Sequence, residues 1–283
     1  MNTSSRNNKL KNLVSKLTTS TVSFNNRRIK TFLLIFPTLL IVGLFLSVII
    51  PSSWTSFYFF NSRNFINKIF AYKGNLLFTI LYILLSFSKL IDFKNVSNIS
   101  HLKRISLLPL PTSIDTTSQK KVVTSWKKIL TIQLVKFTLK NVILFINFWI
   151  IDHIFIWTGG ECHLDASSIS KITDAERCRS QNGKWEGGFD ISGHFCFLTT
   201  VSLIFFYELN EVCRFYDINE YKDFSPFTKG VVFSIATTVY AWCCLLFVTS
   251  IFYHTILEKI LGLIMGYICT SVVYNIPRLA LVR

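Results

Sequence analysis

Apolar positions in this chain run in long blocks rather than alternating with polar ones. No Asp, Glu, Lys or Arg occurs between Lys30 and Arg63, Lys73 and Lys89, Asp190 and Glu208, Lys229 and Glu258, or Lys259 and Arg278. A helix that crosses a bilayer needs roughly 20 mostly apolar residues. The blocks therefore predict spans at about 32–51, 74–91, 191–209, 231–252 and 260–280. A sixth, 137–157, carries Lys140 near one end and Asp152 and His153 near the other. The predicted fold is an all-α integral membrane protein, a six-transmembrane helical bundle over 31–283 behind a basic tail, 1–30. The first span reads as a retained helix. Its apolar core exceeds the roughly 7–15 residues of a signal peptide's apolar region.

Composition narrows the class. The chain has 283 residues, 51% hydrophobic and only 16% charged, against about a quarter charged in soluble domains. Disordered chains, collagen-like chains and small disulfide scaffolds are excluded. The net charge of +15 raises the question of nucleic acid, but no soluble basic domain with stacking aromatics is present, so no nucleic-acid partner is expected. The charge instead marks topology. Residues 1–30 carry Arg6, Lys9, Lys11, Lys16, Arg27, Arg28 and Lys30 and no acid, and 89–128 includes Lys103-Arg104, Lys120-Lys121 and Lys127-Lys128. Basic loops stay on the cytosolic side. Both termini and the 89–128 loop are thus expected in the cytosol, and 158–190 in a lumen.

Five of the seven cysteines lie in or beside spans, where they act as small apolar residues. Cys162 and Cys178 share the 158–190 loop. An oxidising lumen favours a disulfide between them over two free thiols.

Polar residues at membrane depth are costly and need a reason. Here they gather at one level. Asp152 ends the third predicted span, Ser192-Gly193-His194 opens the fourth, and His254 closes the fifth. Alternating topology brings all of them to the lumenal face. The chemistry they suit is phosphoryl transfer. A helix start offers free N–H groups and a dipole that favours an anion, and Gly187, Gly188 and Gly193 let backbone approach a phosphate. If 254–258 is helical, Glu258 shares a face with His254 and can orient its imidazole. An oriented His is a nucleophile, and a His at a phosphate-binding turn is a general acid. Two such histidines cleave a phosphate ester or anhydride through a phosphohistidine without a metal. Structural or interfacial histidines are the competing reading.

The segments IFIWTGGEC (154–162), GGFDISGHFCFL (187–198), YHTILEKILG (253–262) and, less specifically, SLLPLP (106–111) resemble the signature segments of the fat storage-inducing transmembrane proteins, closest to their fungal branch. The resemblance implies a six-span endoplasmic reticulum protein related to the lipid phosphate phosphatases, with a lumenal site. It implies fatty acyl-CoA diphosphatase activity, giving acyl 4′-phosphopantetheine and adenosine 3′,5′-bisphosphate, and a role in lipid droplet formation and endoplasmic reticulum lipid balance. The implied partners are membrane lipids and acyl-CoA; no cofactor or metal is implied. By position, His194 matches the acid histidine and His254 the nucleophile. Glu258 stands where the superfamily has Asp, with Asp152 a second candidate for orienting His254. Ser192, Gly193 and Lys259 are the phosphate-binding candidates. The chain departs from the superfamily at Val248, where an Arg is usual, at Ile191, where PSGH has Pro, and in lacking a lumenal KxxxxxxRP segment. Arg177, Arg179, Lys184 and Lys259 are the cations left to replace the missing ones. A phosphatidate or lysophosphatidate phosphatase, and a non-catalytic neutral-lipid-binding protein, are the alternatives.

Overall fold

Each predicted block becomes a long helix in the computed structural model of the chain, which describes residues 30–58, 64–106, 126–164, 168–170, 172–218 and 225–282. In chain order the elements are α1 (Lys30–Ile49), α2 (Gly74–Ser106), α3 (Trp126–Trp157), β1 (Glu161–Leu164), β2 (Ser168–Ser170), α4 (Ala175–Ser180), β3 (Lys184–Glu186), α5 (Gly193–Ile218), α6 (Pro226–Phe252) and α7 (Ile256–Val282). The six long helices each hold an apolar stretch sufficient to span a bilayer; the chain is a mostly helical, multi-pass membrane protein. Most of the basic tail, 1–29, and the segment 107–125 with Lys120, Lys121 and most of SLLPLP lie outside the described residues.

α5 is the axis of the bundle. Of its apolar window 72% is buried, against 17% for α1, whose Leu34, Phe45 and Val48 are left outward for lipid. α5 packs most closely on α7, and the reason is local. Gly262 and Gly266 place a small-residue stripe on α7, the GxxxG spacing that lets helix backbones approach. A Cβ on Gly262 would lie 2.4 Å from the Ser192 carbonyl oxygen, and one on Gly266 3.0 Å from that of Cys196. Side chains start two of the helices. Ser225 accepts from the Thr228 N–H ahead of Pro226. Glu258 reaches back to the Thr255 N–H at 2.6 Å, the Glu half of a capping box.

Two polar layers sit on α5, about four turns apart. In the layer distant from His194, the carboxylate of fully buried Glu208 accepts from Lys136 at 2.7 Å, Gln133 at 3.1 Å and the Tyr274 hydroxyl at 2.6 Å, and pairs with Lys89. Glu211 completes the balance with Lys89 and Lys136. This clasp joins α2, α3, α5 and α7. The sequence places Lys89 at a span boundary; the structure turns it inward. Buried charges persist where paired and hydrogen-bonded.

The chain between α1 and α2 does not merely cross the surface. Phe65–Asn67 forms a helical turn that runs into a π-helical turn, Lys68–Tyr72. The Trp242 indole N–H donates to the Phe70 carbonyl at 2.7 Å. Trp242 is fully buried and lies ten residues before the end of α6, about 15 Å along the helix. The segment therefore dips into the bundle. Non-helical backbone is tolerated at such depth only inside protein, and Asn64 and Asn67 are buried accordingly.

The α3–α5 connection, read from sequence as a loop, holds a three-stranded antiparallel sheet in the order β2-β1-β3, with Cys162 opposite Trp185. A Cys162–Cys178 disulfide ties β1 to α4, and Trp185 stacks on Phe155 of α3 at 4.2 Å. This unit seats the segment that enters α5.

Candidate active site

The residues 187–192 are wedged between the end of α3 and the start of α7. The Phe189 N–H donates to the Thr158 hydroxyl at 2.7 Å. A Cβ on Gly188 would meet the Phe155 carbonyl oxygen at 2.3 Å. Gly187 adopts a φ of 97° with its Cβ position near Gly159. These two glycines thus serve close packing of two backbone segments, not approach to a phosphate. On the α7 side, Glu258 holds the wedge at two points. Its Oε1 accepts from the Asp190 N–H at 2.8 Å, and its carbonyl accepts from the Ser192 N–H at 3.1 Å.

Ser192 is fully buried and caps α5. Its hydroxyl accepts from the Phe195 N–H at 3.4 Å and its carbonyl from the Cys196 N–H at 3.1 Å. The Ser192 N–H, expected as a phosphate donor, is instead taken by the Glu258 carbonyl; the residue shapes the helix start. Among the described residues the Gly193 N–H has no partner, so the helix start keeps a donor there. His194 follows in the first turn. Its Nε2 stands 3.2 Å from the Asn67 Oδ1, and the Tyr72 ring meets it edge-on with centroids 6.3 Å apart.

His254 lies between two helices. α6 ends at Phe252 and α7 starts at Ile256; the helical 254–258 face expected from sequence does not form. His254 instead takes a left-handed conformation, φ 60°. That is uncommon for a residue with a Cβ, and such conformations gather at functional sites. The turn, rather than helical spacing, brings the carboxylates to it. The imidazole Nδ1 is 3.5 Å from the Asp190 Oδ2 and 3.9 Å from the Glu258 Oε2. Asp190, inside the DISGH segment, was missed as a site residue. Its signal is an acid four positions before a histidine in a glycine-rich helix entry. Asn67 was missed as well: Asn61, Asn64 and Asn67 recur every three residues, but nothing in that spacing says which of them is buried.

Two further expectations are corrected. Asp152 does not orient His254: its carboxylate accepts from the Ala175 N–H at the start of α4 and feels Asp174 and Asp190. Lys259 is not presented to a phosphate: it is buried, and its Nζ donates to the Ser250 carbonyl at 2.6 Å, satisfying one of the orphan carbonyls in the last turn of α6. His153 is exposed, bonded to the Trp149 carbonyl and packed at a tilt against the Trp149 indole. Arg177 and Lys184 are exposed on the α3–α5 unit, and Lys68 and Lys73 are exposed on the dipping segment. The Arg179 side chain lies outside the description.

The site thus joins two imidazoles through one element. His254 faces Asp190, His194 follows Asp190 by four residues, and Glu258 bonds to both ends of 190–192. Comparison with known proteins adds to this geometry. Residues 55–230 and 218–274 match the family described as fat storage-inducing transmembrane protein. The chain is 40% identical over 267 residues to acyl-coenzyme A diphosphatase YFT2 of Saccharomyces cerevisiae, covering 88% of this chain and 93% of that one. It is 32% identical to acyl-coenzyme A diphosphatase fit1 of Schizosaccharomyces pombe, over 85% and 82% of the two chains. It is 28% identical to acyl-coenzyme A diphosphatase FITM2 of Xenopus laevis, over 45% and 47%. No solved structure matches.

Proposed function

The chain belongs to the fat storage-inducing transmembrane protein family, and from that premise we propose that it hydrolyses the diphosphate of fatty acyl-CoA by two-histidine catalysis. The products are acyl 4′-phosphopantetheine and adenosine 3′,5′-bisphosphate. The observation that carries this reading is the pairing of the left-handed His254 with Asp190 and Glu258, beside a helix start that presents His194.

With its Nδ1 turned toward the carboxylates of Asp190 and Glu258, His254 keeps the Nε2 lone pair for attack on one phosphorus. The P–O bond to the bridging oxygen breaks, and His194 gives that oxygen a proton. Water then attacks the phosphohistidine, with His194 as base, and releases the second product with His254 restored. The Gly193 N–H and the positive end of α5 favour the non-bridging oxygens. Among the described residues, Lys68, Lys73, Arg177 and Lys184 are exposed cations available to screen the remaining phosphate charge. The acyl chain lies among the apolar helices, where each buried methylene contributes about 0.8 kcal/mol, leaving the diphosphate at the interface.

Both termini are cytosolic and the site faces the lumen of the endoplasmic reticulum, as the basic 1–30 and 89–128 segments support. There the activity serves lipid droplet formation and lipid balance. Purified protein in nanodiscs, offered acyl-CoA or phosphatidate with products identified by mass, tests the substrate. The two nucleotide-side and acyl-side products are expected from acyl-CoA. Phosphate from phosphatidate alone would make the chain a lipid phosphatase, and no hydrolysis of either would favour a lipid-binding role.

A further inference from the structure

We infer that Asn67 is the positioning residue of His194, and that the proton His194 delivers leaves from Nδ1. This rests on the acid role proposed above for His194. The dipping segment between α1 and α2 is built to hold one amide in place. The Asn67 N–H donates to the Asn64 Oδ1 at 2.6 Å, which fixes the turn from its start. Three residues on, the buried Trp242 indole clamps the Phe70 carbonyl. Asn67 is buried between these anchors, and its Oδ1 stands 3.2 Å from the His194 Nε2.

An amide oxygen accepts and does not donate. Facing it, Nε2 must carry hydrogen, in both the neutral and the cationic ring. The opposite amide orientation would aim an NH₂ at a ring that has to be protonated before it can act as acid. With Nε2–H retained by Asn67 throughout, the proton that moves to the bridging oxygen is the one on Nδ1, and the neutral ring left behind is again the Nε2–H tautomer. The two histidines then work with opposite nitrogens: His254 turns Nδ1 to its carboxylates and attacks through Nε2, while His194 is held at Nε2 and protonates through Nδ1. A partner that fixes the other nitrogen is what sets an imidazole's tautomer and orientation.

The test compares Asn67→Leu, which fills the same space without an acceptor, with Asn67→Asp, which keeps an oxygen there. Each is made in the full-length chain and again with His194→Ala. Acyl-CoA and an analogue with nitrophenolate as leaving group are the substrates. Asn67→Leu should lose about 10- to 100-fold in kcat on acyl-CoA with KM within about two-fold, as expected for an interaction made in the transition state. The loss should shrink on the nitrophenolate analogue, which needs little acid, and to under about two-fold when His194 is already Ala. Asn67→Asp should stay within about five-fold of the parent. An equal loss from Asn67→Leu with and without His194, or an Asn67→Asp as impaired as Asn67→Leu, would overturn the inference. Should Asn67→Leu fail to fold, the Asn67→Asp limit and its loss of effect beside His194→Ala decide alone. A crippled His194→Ala beside a fully active Asn67→Leu would refute the Asn67 role while leaving the two-histidine reading intact; a fully active His194→Ala would refute both.

Discussion

Replacing Gly262 with Ala adds one methyl group on α7, outside the chemistry, at the point where that helix meets the cap of α5. The new Cβ would lie 2.4 Å from the Ser192 carbonyl oxygen and 3.1 Å from the Phe195 Cβ. Ordinary contact begins near 3.4 Å, so the helices must separate by about 1 Å. The obstacle is backbone and cannot rotate away. The displaced bonds are those from Ser192 and Asp190 to Glu258, which set the carboxylates against His254. A misplacement of about 1 Å can cost roughly 10²-fold in rate, and that is the expected fall in kcat on acyl-CoA. The bundle should remain folded, since overpacking typically costs only about 1–3 kcal/mol. Gly230→Ala is the control, because nothing lies within 4 Å of its Cβ position; it should leave kcat unchanged. Kinetics on both purified variants, with thermal melts alongside, make the comparison. A Gly262→Ala protein with parental kcat would refute the idea that the α5–α7 approach sets the site.

Glu208→Ala leaves Lys89 and Lys136 to share one carboxylate, that of half-exposed Glu211. Removing one side of a buried pair costs about 3–5 kcal/mol, so its melting temperature in detergent should fall far below that of an exposed Glu161→Ala control; equal melts would make the clasp dispensable. Loss of the Cys162–Cys178 bridge, which closes a loop of sequence separation 16, should destabilise the α3–α5 unit by about 3 kcal/mol. Hydrogen exchange of 161–186 in Cys162→Ala/Cys178→Ala checks this, and unchanged protection would refute it. For topology, the sequons at Asn95-Val96-Ser97 and Asn98-Ile99-Ser100 should carry no glycan in cells, whereas Lys184→Thr creates an acceptor at exposed Asn182 that should be glycosylated. Glycan on Asn95 or Asn98 would invert the orientation.

The helices were legible because a bilayer demands long charge-free runs, and the two histidines because such runs leave few polar residues at their ends. The rest was hidden for definite reasons. The shared face of His254 and Glu258 depends on 254–258 being helical, but Thr255-Ile256-Leu257-Glu258 has the spacing of a capping box, whose Glu half forms; that signal marks a helix start and puts His254 outside it. Lys259 read as a free cation because an unpaired carbonyl at the end of α6 cannot be seen in sequence. Lys89, Lys136, Glu208 and Glu211 come from three helices, and only packing brings them together. Gly262 and Gly266 have GxxxG spacing in an apolar helix, a pattern readable in the sequence that says nothing of which helix it meets. The short strands and the dipping Asn64–Tyr72 segment carry too few residues for any period, and tertiary contacts alone hold them.

Rapid acid-free quenching of the purified protein with acyl-CoA labelled at the diphosphate phosphorus, followed by peptide mapping, tests the catalytic claim most directly. The label should appear transiently on His254, as an acid-labile, base-stable phosphoramidate, and should be absent from His254→Ala, which turns over no acyl-CoA. Label on any other residue, or a His254→Ala protein that hydrolyses acyl-CoA at the parental rate, would contradict it.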